Sequence, residues 1–204
     1  MSCPSEGTTG PVPVVPLPIL LARLGGVPVP RHPAVQRVVD AAARKGVTLD
    51  VHVLDSSTHT AEDAARSVGA ELGQIVKSLV FVAPADGGGL DAIICLVSGP
   101  NRVDLPRLAA VTGEADVRRA TAREASELTG FTIGGIPPIG HPRPTRVVMD
   151  PDLGRFKEVW AAAGTDGAVF PVPPATLRTL ANAVVAPITE GRAATPAPAA
   201  LGSS

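Results

Sequence analysis

Apolar residues recur with the period of a helix in several stretches of the chain. From Pro33 to Lys45 they fall on one face, and Gly46 ends the pattern, which predicts an amphipathic helix. Two more helices are predicted to begin at capping boxes, with a threonine three residues before an acidic residue, at Thr60 and Thr121. Asp104 is the expected N-cap of another. A last helix is predicted to bury Leu177, Leu180, Ala181 and Val184.

Strand-like patterns alternate with these helices. Residues 48–54 alternate between apolar and polar, and the apolar runs 78–83 and 92–97 are joined by the glycine-rich turn 86–89, which predicts a hairpin. Further strands are predicted at 116–119, 145–149 and 168–172, whereas 159–164 is ambiguous between helix and strand. The irregular order predicts an α+β fold, a single compact domain with a mixed β-sheet flanked by helices.

Composition divides the chain into one domain and two flanks. The 204 residues are 45% hydrophobic, enough for one core. Residues 1–32 are rich in proline and glycine and predict a disordered or extended arm, and 191–204 predict a disordered tail, which leaves 33–190 as the domain. Prolines interrupt the apolar segment 12–24 and no basic stretch precedes it, so we expect neither a signal peptide nor a membrane span.

Charge and motifs exclude several classes of function. The net charge of −1 argues against broad binding to nucleic acid, so we expect no DNA partner, although contact with a few terminal nucleotides stays compatible. None of the four histidines has zinc-site spacing, and no phosphate-loop, dinucleotide or nucleophile-elbow motif is present, so no metal or cofactor is expected. Cys95 lies in an apolar run and is interpreted as a buried apolar residue. Cysteine usage fits a reducing cytoplasm.

The segment Ile133–Pro142 combines three glycines, three prolines and a histidine. It follows an apparent strand start at Phe131 and cannot be a regular helix or a central strand. Gly134 and Gly135 would leave backbone N–H groups open to a small ligand. Composition alone leaves two interpretations, a ligand cradle or a structural turn, and His141 could face a ligand or cap the loop.

Lys77 is the charged residue of most interest, because it stands at the start of a buried strand. A lysine there must either reach solvent or meet an anion or a polar ligand. Asn101 and Arg102 follow the next strand, and Arg102 is either a surface residue or a phosphate contact.

Three segments in order resemble the YbaK/ProX-type prolyl-tRNA editing domain family, which also occurs inserted in bacterial prolyl-tRNA synthetases. They are the lysine-bearing strand start 73–81, the strand-to-helix junction 98–105, and the loop 134–140 with its Gly-x-x-x-Pro pattern from Gly134 to Pro138. The similarity runs from about Pro33 to Val185.

The resemblance implies a compact α+β domain that hydrolyses the ester between a mischarged small amino acid and the terminal adenosine of tRNA. It implies no protein nucleophile, since water or a group of the substrate attacks. It also implies the acceptor end of aminoacyl-tRNA as a partner, with prolyl-tRNA synthetase as a further one. Lys77 and Gly134 are expected to be catalytic. The residues expected to bind substrate are Gly135, Ile136, Pro138, Gly140, His141, Thr60 and Asn101.

Two departures from the family leave the amino acid open. Members that remove cysteine carry a tyrosine and an aspartate where this chain has approximately Leu54 and Val169. Ser57 and Thr58 are weaker candidates for the pocket wall. We expect a freestanding cytoplasmic deacylase acting on tRNA for proline. The alternatives are a non-catalytic module that binds aminoacyl-tRNA or a nucleotide, and a structural protein whose loop is only a turn.

Overall fold

The computed structural model describes residues 32–54 and 60–190. The predicted tail at 191–204, the arm at 1–32 apart from His32, and the candidates Ser57 and Thr58 lie outside the described residues. The described part has helices and two β-sheets, which confirms the predicted α+β class. No helix of this part is long and apolar enough to cross a membrane.

Three helices begin at the caps that local sequence signals predict. Thr60 and Thr121 each form a capping box with the acidic residue three positions later, and the Asp104 side chain accepts a hydrogen bond from the Arg107 N–H at 3.0 Å. These caps satisfy N–H groups that a helix start leaves unpaired. The helices are α1 (Pro33–Ala43), α2 (Ala61–Val68), α3 (Leu105–Thr112), α4 (Ala122–Thr129) and α5 (Pro174–Ala181).

The strands form one mixed sheet and one antiparallel sheet. They are β1 (His52–Val53), β2 (Val76–Pro84), β3 (Leu90–Ser98), β4 (Arg118–Arg119), β5 (Arg146–Met149), β6 (Val159–Ala162), β7 (Ala168–Val172) and β8 (Val184–Val185). The mixed sheet has the order β4-β2-β3-β5-β8, with β3–β5 and β5–β8 parallel. The antiparallel sheet has the order β1-β7-β6. An isolated parallel bridge between Ile75 and Trp160 connects the start of β2 with β6.

Strand β3 lies at the centre of the core and is buried on both faces. Ile94 and Leu96 pack in one cluster, whereas Ile93, Cys95 and Val97 pack in another. Burial raises the pKa of the Cys95 thiol to about 12, so it stays protonated at neutral pH. This confirms the interpretation of Cys95 as a buried apolar residue. A strand covered on both faces reads as a continuous apolar run, which is why the hairpin was predictable.

Several predicted boundaries are wrong or are now decided. The strand predicted over 48–54 is reduced to β1, because Leu49 is buried in the core outside a sheet ladder whereas Val53 is 84% exposed. Helix α5 ends at Ala181, since Asn182 adopts a left-handed conformation, and Val184 belongs to β8. Phe131 starts no strand, and the ambiguous segment at 159–164 contains β6.

Candidate active site

A cavity of about 220 Å³ lies where the start of β2 approaches β6 and β7. Helix α2 and the first half of the Gly/Pro loop close its other sides. Its wall is mainly apolar, and Trp160 is the one tryptophan of the sequence. Other apolar members of the wall are Ala61, Ala64, Ile75, Ala162 and Val169.

Lys77 is one of two charged residues among the described residues that line this cavity. Its side chain is half-buried, and its Nζ donates a hydrogen bond of 2.7 Å to the carbonyl oxygen of Asn101. Burial lowers the pKa of Lys77; Glu62 opposes this shift, whereas Arg102 and Arg119 add to it. Lys77 is thus a partly buried cation in the cavity wall, a type of group that stabilises a negatively charged oxygen.

Ser78, the next residue along β2, supplies a polar group that sequence reasoning missed. It lines the cavity, and its Oγ is buried without a hydrogen-bond partner among the described residues. Buried hydroxyl groups are nearly always paired, and an exception in a cavity wall indicates a group that a ligand would satisfy. A lone hydroxyl inside an otherwise apolar strand was the signal available in the sequence.

Thr60 also lines the cavity, but its hydroxyl is engaged in capping α2. The Oγ1 accepts from the Asp63 N–H at 3.1 Å and donates to the Asp63 carboxylate at 2.8 Å. The donor of this hydroxyl is therefore used within the protein. Substrate contact by Thr60 stays a prediction, with its methyl group and remaining lone pair as the groups available.

Two adjacent glycines have different reasons to be glycine. Gly134 lines the cavity with φ +93°, a conformation that side chains disfavour, and its N–H has no acceptor within residues 32–54 and 60–190. The Gly135 N–H donates to the Thr132 carbonyl at 3.1 Å. A Cβ on Gly135 would lie 2.5 Å from backbone atoms of Thr165, so this glycine lets the loop meet the β6–β7 turn.

Asp166, in the β6–β7 turn, is the second charged residue of the cavity wall and was also missed by sequence reasoning. Its side chain is exposed, and its Cβ would be 3.3 Å from a Cβ on Gly134. The sequence around it, Gly164 to Gly167, is typical of a hairpin turn and carries no sign of a binding role. The wall thus carries one cation and one anion.

The second half of the Gly/Pro loop lies elsewhere. Ile136 lines the first cavity, whereas Pro138, Gly140 and His141 line a separate cavity of about 470 Å³ beside α1 and α5. The structure therefore does not bring all predicted loop residues together. A substrate-binding role for these three stays a prediction.

His141 is held by the protein itself. Its ring packs edge-on against Phe131, with centroids 5.6 Å apart, and its Nδ1 lies 3.4 Å from the Thr129 carbonyl oxygen. Arg37 lies over the Phe131 ring at 4.4 Å and donates to the Gly130 carbonyl. Burial lowers the pKa of His141, against the opposing effect of the Thr129 and Pro137 carbonyls. The ring contacts favour the loop cap, although the buried Nε2 has no hydrogen-bond partner among the described residues.

Asn101 connects the first cavity to a third cleft, of about 460 Å³. Its carbonyl accepts from Lys77, and its side-chain amide donates to Asp152 at 2.9 Å. Asn101 therefore positions Lys77 through its backbone. No group of three potential metal ligands occurs among the residues that the structure describes.

The chain was compared with known families and structures. A family model described as the aminoacyl-tRNA editing domain matches residues 55–180. A crystal structure of a candidate trans-editing enzyme for prolyl tRNA synthetase is 47% identical, with a TM-score of 0.72 over 78% of this chain and 99% of that one. Both matches span most of the predicted domain.

Two curated relatives support the same family assignment. A protein of Enterococcus faecalis, named as a candidate Cys-tRNA(Pro)/Cys-tRNA(Cys) deacylase, EbsC, is 28% identical over 64% of this chain and 77% of its own. A proline–tRNA ligase of Limosilactobacillus fermentum is 29% identical over 53% of this chain but only 19% of the ligase. These findings confirm the resemblance and the predicted class of activity, hydrolysis of an aminoacyl-tRNA ester. The chain belongs to the aminoacyl-tRNA editing domain family.

Proposed function

We propose that this protein is a cytoplasmic deacylase that acts in trans on tRNA for proline charged with a wrong small amino acid, and that the 220 Å³ cavity holds the aminoacyl end. The observation that carries the proposal is the meeting of Lys77, Gly134 and the unpaired Ser78 hydroxyl in one cavity. The small volume and the apolar wall support a small side chain as the part that is enclosed.

The two charged residues of the wall match the two ends of an aminoacyl ester. Asp166 is the carboxylate that could hold the α-ammonium group of the amino acid. Lys77 is the cation that could face the ester carbonyl or the adjoining ribose phosphate, where negative charge develops or resides. The Ser78 hydroxyl would donate to the ester or accept from the amine.

The loop supplies a backbone donor for the same carbonyl. Gly134 lines the cavity in a conformation that glycine tolerates, and its N–H has no acceptor among the described residues, so it is a donor that could polarise the carbonyl. Gly135 fixes the distance between this loop and the turn that carries Asp166. The loop then acts through its backbone rather than through a side chain.

The chemistry needs positioning more than a protein nucleophile. Water adds to the carbonyl carbon and loses a proton, the ester C–O bond breaks, and the departing ribose oxygen takes up a proton. With water as attacking group the products are the free amino acid and tRNA. Holding the ester carbonyl between Lys77 and Gly134 lowers the barrier to the addition step.

The test offers the purified protein a panel of tRNAs charged with Ala, Cys, Ser, Thr or Pro. We expect release of at least one small amino acid from tRNA for proline, and a rate lower by about a hundredfold or more in Lys77→Ala. Lys157→Ala is the matched control, because this lysine is exposed and lines none of these cavities.

Equal rates for the Lys77→Ala variant and the wild type would overturn the proposed role of Lys77. Binding of aminoacyl-tRNA without any turnover would instead establish the non-catalytic module. If the protein neither binds nor hydrolyses any aminoacyl-tRNA, the loop is only a structural turn.

A further inference from the structure

The third cleft, next to Lys77, has features that the aminoacyl cavity does not explain. It is lined by residues that follow β3 and β5, and it is joined to the cavity through the hydrogen bond from Lys77 to the Asn101 carbonyl. Lys77 in the cavity wall and Asn101 in the cleft wall are therefore neighbours.

Phe156 gives the cleft an aromatic face. The other three phenylalanines of the chain, Phe81, Phe131 and Phe170, are buried, with exposures of 4%, 3% and 0%, whereas Phe156 is partly exposed on the cleft wall. Its ring is seated on Gly73, where any Cβ would lie 2.6 Å from the ring Cζ. A fixed, partly exposed aromatic ring in a polar cleft is suited to stacking on a nucleobase.

Two arginines of the cleft have no carboxylate partner within ion-pair distance among the described residues. They are Arg102 and Arg155, both exposed, although Arg155 lies over the Phe156 ring at 5.8 Å. Of the ten other arginines in the described part, five form ion pairs and five do not, so what distinguishes these two is their place in the cleft that Phe156 lines. Guanidinium groups left unpaired beside an aromatic face are available to a phosphate.

The cleft also contains three carboxylates, Glu71, Asp152 and Glu190, and of these Asp152 accepts from Asn101. A site for phosphate alone would not carry this much negative charge. Carboxylates do accept hydrogen bonds from the exocyclic amino group of cytosine. The combination therefore matches a whole nucleotide with an amino-bearing base.

We propose that this cleft binds the cytidine that precedes the terminal adenosine of the tRNA acceptor end. The base stacks on Phe156, a carboxylate accepts from its amino group, and Arg102 with Arg155 holds its phosphate. This inference rests on the proposed function, since it places the acceptor end in the adjoining cavity. It adds a second anchor that keeps the ester in register with Lys77.

The test measures binding of a 5′-fluorescein-labelled single-stranded RNA ending in CCA by fluorescence anisotropy. We expect Phe156→Leu and Arg102→Gln each to raise Kd by about 5- to 100-fold, the range that loss of one stacked base or charged contact produces. An RNA ending in CUA should bind the wild type more weakly. Arg178→Gln is the matched control, because Arg178 is exposed and lines none of these cavities.

Three further measurements distinguish loss of the cytidine contact from loss of catalysis, from unfolding, and from binding of a free nucleotide. Hydrolysis of a minimal aminoacyl-adenosine, which lacks the cytidine, should be unchanged in Arg102→Gln and Phe156→Leu. Thermal unfolding checks that the Phe156→Leu variant is folded. If that variant is unfolded, the Arg102→Gln variant still tests the proposal, because Arg102 is exposed. Free cytidine monophosphate should displace the RNA only at much higher concentration than the RNA itself requires.

The inference is overturned if both variants bind the CCA RNA as tightly as the wild type does. It is also overturned if they lose hydrolysis of aminoacyl-adenosine to the same extent, or if free cytidine monophosphate competes on equal terms. Binding through this cleft without any hydrolysis by the wild type would reject the proposed function and leave the inference in place.

Discussion

The two halves of the Gly/Pro loop are similar in composition but line different cavities. In the first half, Gly134 lines the cavity with a free N–H beside Lys77 and Ser78. In the second half, His141 is packed against Phe131 and lies near the Thr129 carbonyl, in a different cavity. The Gly134 N–H has no acceptor among the described residues, and the buried His141 Nε2 has no hydrogen-bond partner among them either, so the two halves differ in what surrounds these groups.

The surroundings of Gly134 and His141 indicate which part of the loop is a candidate ligand site. Each half contains a polar group without a partner, so its neighbours decide the interpretation. Gly134 lines one cavity with Lys77 and Ser78, which favours ligand contact, whereas the His141 ring packs against Phe131 near the Thr129 carbonyl, which favours a structural role. We propose that the first half of the loop is the ligand cradle and that the second half is a structural turn, which contacts α1 and α4.

The largest effect is expected from Gly135→Ala, at the junction of the two halves. The new Cβ would meet the Thr165 backbone at 2.5 Å, so the loop and the turn that carries Asp166 must separate. We expect a loss of about 1–3 kcal/mol in unfolding free energy and about a hundredfold in deacylation rate. Denaturant unfolding and single-turnover kinetics measure the two.

Gly154→Ala is the control for this change, because nothing lies within 4 Å of a Cβ at that position. It should leave the rate unchanged. A Gly135→Ala variant with the activity of the wild type would show that the distance between the loop and the turn does not matter.

Ser78→Ala is expected to have a smaller effect, lowering the deacylation rate without lowering stability. Removing a buried hydroxyl that has no partner should leave the unfolding free energy equal or higher, yet the deacylation rate should fall by about tenfold because a ligand contact is lost. Ser98→Ala removes a hydroxyl that donates to the Gly73 carbonyl at 2.7 Å, so it should lower stability by about 1 kcal/mol. If Ser78→Ala lowers stability and spares the rate, the hydroxyl is structural.

The smallest effect on activity is expected from His141→Gln, within about twofold, because the ring lies outside the aminoacyl cavity. Its effect should appear in stability as a function of pH. Burial lowers the pKa of folded His141 below its ordinary value of 6.5, so the unfolded chain binds a proton first as pH falls. His141 therefore contributes stability that is full above pH 6.5 and is lost on acidification.

Melting temperatures measured from pH 7.5 down to pH 5 would show this dependence. The decline should be shallower in His141→Gln than in the wild type. A large rise in KM for one aminoacyl-tRNA, with no change in the pH dependence of stability, would place His141 in amino-acid recognition instead.

The structural features that the sequence predicted correctly depend on residues close together in the chain. Helix caps at Thr60, Asp104 and Thr121 and the β2–β3 hairpin follow from patterns a few residues long. Lys77 and Gly134 were singled out by the residue pattern, and they do line one cavity; the family resemblance supplied their expected catalytic roles. Their catalytic roles stay predictions.

What the sequence could not predict depends on contacts between distant segments. The approach of Gly135 to Thr165 and the place of Trp160 in the wall arise only when the two sheets meet at the Ile75–Trp160 bridge. The same applies to β1, where alternation predicted a full strand but burial of Leu49 comes from the core rather than from a sheet. Hydrophobic periodicity predicts which side chains are buried but not which residues they pack against.

The most direct test of the central claim, that the first half of the loop and Lys77 enclose the aminoacyl end, uses Trp160 as a reporter. It is the one tryptophan of the chain and lines the cavity, so titration with a non-hydrolysable, amide-linked aminoacyl-adenosine should change its fluorescence saturably. The change should persist in His141→Gln and require more ligand in Ser78→Ala. Saturable binding of the analogue by calorimetry with no change in Trp160 emission would contradict the account.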